Sequence, residues 1–196
     1  NDAELYFHLH QNKKREFALH NIHAMIQSMD ADDEDVIVCL DGDDWLSNEG
    51  VISRLDVIYK EENCWLTYGS YVRYPDSHNS SFHVSEYPKE IRELGDFKKD
   101  PEWRASHLRT FKYKIDRRLK KEDLSDEDGN YYPMAWDHAI MFPLMEMACE
   151  RVHFVSDILY VYNDDNPINV HKVDRQQQID MAEKIRQRHP KKERVE

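Results

Sequence analysis

The stretch VIVCLDGDDWL, residues 36–46, joins an apolar run directly to a cluster of acids. Its first five residues are apolar and mostly β-branched, which is typical of a strand. Because no polar residues alternate with them, we expect a strand covered on both faces, as in the centre of a parallel sheet. The carboxylates of Asp41, Asp43 and Asp44 follow at once. The sequence therefore predicts a central strand that delivers an acidic cluster to one edge of a sheet.

Segments on both sides of this stretch alternate between strand and helix patterns. Short strands are predicted at residues 5–9 (LYFHL) and 64–75 (CWLTYGSYVRYP). Residues 15–29 and 49–62 carry apolar side chains at helical spacing, which predicts two amphipathic helices. Strands that alternate with helices indicate an α/β layer fold.

The second half of the chain contains a basic segment, an apolar helix and a strand pattern. The basic segment covers residues 104–121 and is interpreted as a solvated helix face, with a surface for phosphates or anionic membranes as the alternative. Residues 134–148 (MAWDHAIMFPLMEMA) predict a helix with Asp137 near its start, and residues 151–163 predict one or two strands. Residues 174–196 predict a polar terminal helix.

The composition limits the partners and the compartment. With 27 basic and 39 acidic residues the chain has a formal charge of -12, so no binding to nucleic acid is expected. Its three cysteines are odd in number and widely spaced, which predicts reduced thiols. No apolar run in the sequence approaches the roughly 20 residues that a membrane span needs. We expect a cytoplasmic protein, with a peripheral position at a membrane surface as the alternative.

The acidic cluster after the predicted central strand needs a compensating charge. Adjacent carboxylates repel one another unless a cation or hydrogen-bond donors neutralise them. Oxygen ligands of this kind favour Mg²⁺ or Mn²⁺, and Mg²⁺ commonly takes one or two carboxylates while substrate phosphates complete its shell. An acidic turn at the start of the next helix is the structural alternative. An EF-hand loop starting at Asp41 is excluded, because Leu46 and Ile52 stand where that motif needs glycine and glutamate.

Two known families place an Asp-x-Asp motif directly after a strand. Phosphatases of the haloacid dehalogenase type use its acids as nucleophile and acid, but they carry Thr or Val where this chain has Trp45. The chain more closely resembles the family 2 glycosyltransferases of the GT-A fold. In that family a helix with a basic start and an Ala-x-x-Asn pattern, here at residues 18–21, precedes the strand. The segments AWDHAIMFPLMEMA (135–148) and ILYVYNDDNPINVHK (158–172) resemble the family's acceptor-side helix and closing segment.

The resemblance covers residues 5 to about 173 and implies an overall architecture. This is a GT-A-type (Rossmann-like) three-layer α/β/α sandwich with a mostly parallel central sheet, formed by residues 1–173 and followed by a polar tail at 174–196. Complete members begin with a strand carrying a Pro-x-Tyr/Phe-Asn-like motif, a helix, and a second strand whose acids hold the nucleobase. None of this is visible from Asn1 onward, so the resemblance implies either that part of the domain is absent from this chain or that the chain belongs to a lineage without it. In both cases a sheet edge that is normally covered would be exposed.

The resemblance also implies residues that bind the donor and its metal ion. Asp43 and Asp41 correspond to acids that coordinate Mn²⁺ or Mg²⁺, and Asp41 also to an acid that contacts the donor ribose. His171 lies where some members carry a third metal ligand, with an ordinary loop or packing histidine as the alternative. A donor diphosphate would meet the basic residues at the mouth of the first helix, unless these are ordinary solvated charges. The predicted donor-binding residues are Asp41, Asp44, Lys14, Arg15 and Asn21.

The catalytic and acceptor residues follow from the same resemblance. Asp137 matches the family's general base, although the usual Glu-Asp pair is replaced by Trp136 and Asp137 here. A base on the face opposite the leaving diphosphate takes the proton of the acceptor hydroxyl and inverts the anomeric carbon. A helix cap is the alternative for Asp137. Trp136 and Arg109 are the predicted acceptor contacts, because an indole ring can stack on a sugar and apolar neighbours can turn Arg109 inward.

The expected function is that of a metal-dependent, inverting glycosyltransferase. It would move a sugar from a nucleotide-diphosphate sugar, most simply a UDP-sugar, to the hydroxyl of a glycan, a lipid-linked saccharide or a protein. Two alternatives stay open: a haloacid-dehalogenase-like phosphatase, and a non-catalytic carbohydrate-binding relic.

Overall fold

The computed structural model describes residues 6–75, 81–167, 172, 174–188 and 192–195. The helices are α1 (Ala18–Gln27), α2 (Val51–Glu61), α3 (Lys89–Leu94), α4 (Tyr113–Asp116), α5 (Trp136–Ala148) and α6 (Arg175–Arg188). The strands are β1 (Val36–Cys39), β2 (Trp45–Leu46), β3 (Leu66–Tyr74), β4 (Ser81–Phe82), β5 (Arg109–Lys112) and β6 (Val152–Asn163). Single 3₁₀ turns occur at Phe97–Lys99, Lys121–Leu124 and Cys149–Arg151.

Most elements that the sequence pattern predicts are present. Helices α1, α2 and α5 lie within segments predicted as helices, and strands β1, β3 and β6 lie within predicted strands. The basic segment at residues 104–121 is an exception, because it forms β5 and the short α4 instead of one solvated helix face. All four residues of β5 are buried, so this segment belongs to the interior of the sheet.

One mixed sheet forms the centre of the fold, in the order β1–β5–β3–β6–β2, with β4 paired to β3. Among the described strands, β3 and β6 pair in parallel and every other pair is antiparallel. The prediction of a mostly parallel sheet is therefore wrong, while the α/β class is confirmed. The cause is β5, which inserts between β1 and β3 and runs opposite to both. These two strands share a direction without being neighbours.

Strand β1 is an edge strand instead of the predicted central strand. It pairs with β5, and no other described strand joins its free edge. The strand predicted at residues 5–9 does not form in the part that the structure describes, because residues 6–9 enter no ladder. A strand is stable only when a partner satisfies its backbone and covers its side chains. The apolar side chains of this segment are accordingly 83–93% exposed, namely Tyr6, Phe7 and Leu9.

Both faces of β1 contact apolar clusters, which explains its continuous apolar sequence. Ile37 and Cys39 pack against the main core, to which α1 and α5 contribute. Val36 and Val38 pack against a second cluster that contains the buried face of α2. Successive side chains of a strand point to opposite faces, so every position of β1 needs an apolar residue.

Helix α5 is the central helix of the main core. Every residue from Ala139 to Ala148 is buried, which fits a helix that is apolar on all sides. Helix α6 packs against it through the fully buried Ile185, although its composition predicts only a polar tail. The same core also contains Val195 near the end of the chain.

A helix that spans a membrane needs about 20 apolar residues. Helix α5 is apolar but has 13 residues, and the 14-residue α6 is strongly polar. No helix within the described ranges therefore has both the length and the apolar character needed to cross a bilayer.

Candidate active site

The acidic cluster lies in a tight turn at the carboxyl end of β1. The Asp44 N–H donates to the Asp41 carbonyl over 3.1 Å, which closes the turn. Strand β2 follows directly and pairs antiparallel with β6, with Trp45 opposite Val161. The turn is therefore held between two strands of the sheet, and its side chains face the cleft at the sheet's end.

Asp44 attaches this turn to β6. Its Oδ2 accepts a hydrogen bond of 2.5 Å from the Tyr160 hydroxyl, and its Oδ1 accepts one of 2.7 Å from the Asn163 N–H. Burial raises the pKa of Asp44, although both hydrogen bonds oppose the shift. Because both oxygens are engaged by the protein, Asp44 positions the neighbouring acids.

Asp41 and Asp43 are the acids of the turn that remain available to a ligand. Asp41 is half-buried, and burial raises its pKa to about 6. The positive charge of Arg109 opposes this shift, and the neighbouring carboxylates reinforce it. Asp43 is exposed and accepts a hydrogen bond from the Asn166 amide. A cation between these two carboxylates would relieve their repulsion.

Arg109 extends from β5 into the same cleft. It is opposite Cys39 of β1 in the ladder, so it leaves the sheet next to the acidic turn. The residue is only 4% exposed, which confirms the inward orientation that its apolar neighbours predict. Its Nε donates to the Ala105 carbonyl over 2.9 Å, and its guanidinium lies 5.2 Å from the Trp136 ring centroid.

Asp137, in the first turn of α5, lies between Arg109 on one side and His138 on the other. Its Oδ2 accepts a 3.0 Å hydrogen bond from Arg109 Nη2, and its Oδ1 lies 3.2 Å from His138 Nδ1. Burial raises the pKa of Asp137, but the charges of His138 and Arg109 and hydrogen bonds from His138 outweigh it. The pKa therefore lies well below the usual range, and Asp137 is ionised at neutral pH.

His107 and Tyr162 also line the cleft, although neither was predicted from the sequence as a site residue. The His107 ring stacks on Tyr160 at 4.3 Å, and burial lowers its pKa well below the usual value, an effect that the charge of Arg109 reinforces. His107 therefore stays neutral beside the Arg109–Asp137 pair. The available sequence signals were the position of His107 two residues before Arg109 and the position of Tyr162 within the predicted closing segment, residues 158–172.

These residues enclose a cavity of about 410 Å³, which we call the acidic pocket. The predicted site residues that line it come from the segment before α1, the acidic turn, β5 and α5, which are distant in the sequence. They are Arg15, Asp41, Asp43, Asp44, Arg109, Trp136 and Asp137.

The remaining predicted residues lie elsewhere. Lys14 is exposed and lies 3.5 Å from Glu16, a residue of the pocket wall. Asn21 accepts a 2.7 Å hydrogen bond from Asn12 and lines a groove between α1 and β1 instead of the acidic pocket. His171 lies outside the described residues.

A divalent metal ion must be held by oxygen, nitrogen or sulfur ligands of the site. Among the residues that the structure describes, no three His, Cys, Asp or Glu side chains form a group that could hold a metal. Mg²⁺ commonly takes only one or two protein carboxylates and completes its shell with water and substrate phosphates. Asp41 and Asp43 fit that smaller requirement, because both line the acidic pocket and the neighbouring carboxylates help to raise the pKa of Asp41, which a bound cation would counteract.

Fold and site together define a mixed α/β protein with an acidic cleft at the ends of β1 and β5. Comparisons with models of known protein families and with curated proteins found no match. The chemistry of the cleft is therefore the basis on which a function is assigned.

Proposed function

We propose that the protein is a metal-dependent, inverting glycosyltransferase that moves a sugar from a nucleotide-diphosphate sugar to an acceptor hydroxyl. One observation carries this proposal. The ionised carboxylate of Asp137 faces the same cavity as the two available acids of the turn, Asp41 and Asp43. Such a transfer needs a base for the acceptor hydroxyl and a cation for the departing diphosphate, both in the same cleft.

Asp41 and Asp43 would hold the Mn²⁺ or Mg²⁺ ion and, through it, the donor diphosphate. When bound, such an ion stabilises the negative charge that develops on a departing diphosphate. Arg15 lines the same pocket and supplies a guanidinium that can bind phosphate oxygens. Asp44 holds the turn to β6, so that the two metal-binding acids keep their positions when the ligand binds.

Asp137 would take the proton of the attacking hydroxyl. The capping alternative has no support, because Ala135 is the N-cap residue of α5 and no side chain caps this helix. A carboxylate of low pKa is a weak base toward a free alcohol. It is a sufficient base once the new carbon–oxygen bond forms, because the attacking oxygen then becomes strongly acidic. Attack from the side of Asp137, opposite the leaving diphosphate, would invert the anomeric carbon.

Arg109 would orient this base. Its hydrogen bond to Oδ2 and its bond to the Ala105 carbonyl fix both ends of the guanidinium. The indole of Trp136 lies against the same guanidinium and lines the acidic pocket. In this proposal Trp136 contacts the transferred sugar or its acceptor, and Arg109 acts as a positioning residue.

A GT-A-type architecture is part of the same proposal. The contacts of helices with both faces of β1 support it, since a layered sheet is what the resemblance implies.

The test compares two activities of the full chain. We expect UDP release from a panel of UDP-sugars in the presence of Mn²⁺ and mixed saccharide acceptors, and loss of that release with EDTA. Phosphate release from p-nitrophenyl phosphate is the control reaction. Hydrolysis of the phosphate ester without sugar-nucleotide turnover would instead support the phosphatase alternative. Saccharide binding with neither reaction would support the non-catalytic alternative.

A further inference from the structure

A second cavity, of about 350 Å³, lies on the other side of Asp137 from the acidic turn. It shares His107, Arg109, Asp137, Tyr162 and Gln178 with the acidic pocket, so the two cavities form one continuous cleft. We call it the aromatic pocket. Its other lining residues are Tyr71, Arg73, Phe82, Trp103, Ser106 and Arg175.

Aromatic rings from three strands form one wall of this pocket. Tyr71 of β3 stacks on Phe82 of β4, with ring centroids 5.2 Å apart and planes 20° from parallel. Tyr71 also contacts Tyr162 of β6 at 5.4 Å. Phe82 is 39% exposed, so this wall presents ring surface to a ligand. Rings with apolar faces and polar edges match a pyranose, which has an apolar face and a polar rim.

The charge of the aromatic pocket is opposite to that of the acidic pocket. Three arginines and one carboxylate line the aromatic pocket, whereas two arginines and five carboxylates line the acidic pocket. The two cavities meet at the Arg109–Asp137 pair. One cleft therefore offers a cation site on one side of Asp137 and an anion site on the other.

Two of the three arginines are exposed enough to contact an anion. Arg73 forms a long salt bridge with Asp164, at 3.6 Å, and a hydrogen bond to Tyr71, and its side chain is still 41% exposed. Arg175 is exposed at the start of α6, and no carboxylate of the described ranges lies within ion-pair distance of it. Guanidinium groups bind carboxylate and phosphate oxygens in a planar, two-point geometry.

We propose that the aromatic pocket binds the acceptor as a sugar that carries an anionic group, a carboxylate or a phosphate. This inference rests on the proposed transferase function. The pyranose lies on the wall formed by Tyr71, Phe82 and Tyr162, and its anionic group lies between Arg73 and Arg175. The acceptor hydroxyl oxygen bonds to the anomeric carbon, its proton passes to Asp137, and the nucleotide diphosphate leaves with the electrons of the broken bond.

Binding of three small saccharides to the full chain tests this assignment in the absence of donor and metal. The ligands are methyl glucuronide, glucose 6-phosphate and the neutral methyl glucoside, titrated in 150 mM salt. We expect each anionic ligand to bind at least about 10-fold more tightly than methyl glucoside. Tighter binding of methyl glucuronide would identify the anionic group as a carboxylate, and tighter binding of glucose 6-phosphate would identify it as a phosphate. Equal affinity for all three ligands overturns the proposal.

Substitutions of the two arginines test where the anionic group binds. Arg73→Gln and Arg175→Gln are each expected to remove most of the preference for the anion and to leave the weaker binding of methyl glucoside unchanged. Arg118→Gln is the matched control, because Arg118 is exposed and lies outside both pockets. Arg175→Gln changes only an exposed side chain at a helix start, so it remains informative if Arg73→Gln disturbs β3. An unchanged preference in Arg175→Gln and Arg73→Gln overturns the proposal.

Measurements of sugar-nucleotide turnover test the acceptor assignment and the proposed transferase function separately. Sugar-nucleotide turnover with neutral acceptors and no preference for anionic ones overturns the acceptor assignment and leaves the transferase standing. Anion-selective binding that Arg175→Gln removes, without turnover of any sugar nucleotide, overturns the transferase and leaves the aromatic pocket as a binding site for anionic saccharides. Faster transfer to anionic acceptors, with a lower KM that the Arg175→Gln variant loses, supports both.

Discussion

Arg109 Nη2 donates a hydrogen bond of 3.0 Å to Asp137 Oδ2, joining the start of β5 to the first turn of α5. Arg109 is almost fully buried, and Asp137 is held on its other side by His138. The pair forms the wall between the acidic and aromatic pockets. Substitutions in the Arg109–Asp137 pair are therefore expected to affect both the stability of the fold and the chemistry of the cleft.

Replacing Asp137 by asparagine tests the base directly. Asp137→Asn keeps the shape of the side chain and removes its proton affinity, so transfer should fall by roughly 10²- to 10⁴-fold. Affinity for donor and Mn²⁺ should change little. The measurement is the transfer rate beside the donor affinity, with Asp157→Asn as control, since Asp157 pairs with Arg54 at the surface. An Asp137→Asn enzyme within a few-fold of wild type would show that the base lies elsewhere.

Removing the guanidinium of the pair should destabilise the fold. Arg109→Met leaves the Asp137 carboxylate without its guanidinium partner. The expected cost is about 2–4 kcal/mol, which is below the full range for buried pairs because Asp137 keeps some exposure. The double variant Arg109→Met/Asp137→Asn should recover part of this loss, since no charge remains uncompensated. Urea unfolding of the four proteins measures the coupling. Additive losses would mean that the two side chains act independently.

The acidic turn should bind a divalent cation through Asp43. Calorimetric titration with Mn²⁺ is expected to show at least about 10-fold weaker binding in Asp43→Asn than in wild type, because a carboxylate ligand is lost. Asp56→Asn is the control, as Asp56 pairs with Lys60 on the surface of α2. The same Mn²⁺ affinity in Asp43→Asn and wild type would exclude Asp43 as a ligand.

Asp116 should make the stability of the protein depend on pH. It is fully buried, neither of its oxygens has a hydrogen-bond partner among the described residues, and burial raises its pKa to about 7. The folded state thus binds the proton more tightly than the unfolded state, whose Asp pKa is about 3.9. The stability that this proton contributes is full below about pH 4 and is lost as the pH rises through about 7.

Asp116→Asn isolates this effect. The variant should gain roughly 2–4 kcal/mol relative to wild type between pH 4 and pH 8, because asparagine does not ionise. Other titrating groups occur in both proteins and cancel in the difference. Unfolding free energies measured across that range test the prediction, and a difference between the two proteins that stays constant with pH would contradict it.

The sequence by itself determined the elements whose signal is local. Apolar periodicity predicted α1, α2 and α5, and the apolar run of β1 predicted contacts on both faces. The adjacency of Asp41, Asp43 and Asp44 predicted a charged cluster, since neighbours along a chain stay neighbours in the fold. The apolar flanks of Arg109 predicted its burial. Each of these features depends on residues within about one turn or strand.

Only the tertiary structure decided the order and direction of the strands. Strand β5 is four residues long and lies in a segment whose charges favour solvent, yet pairing on both sides buries it between β1 and β3. The resulting sheet brings Arg109 into contact with Asp137, which is 28 positions away in the sequence. It also brings residues of β3, β4 and β6 together in the wall of the aromatic pocket. Such contacts depend on which strands pair, and pairing is set by the packing of the whole core instead of by any local pattern.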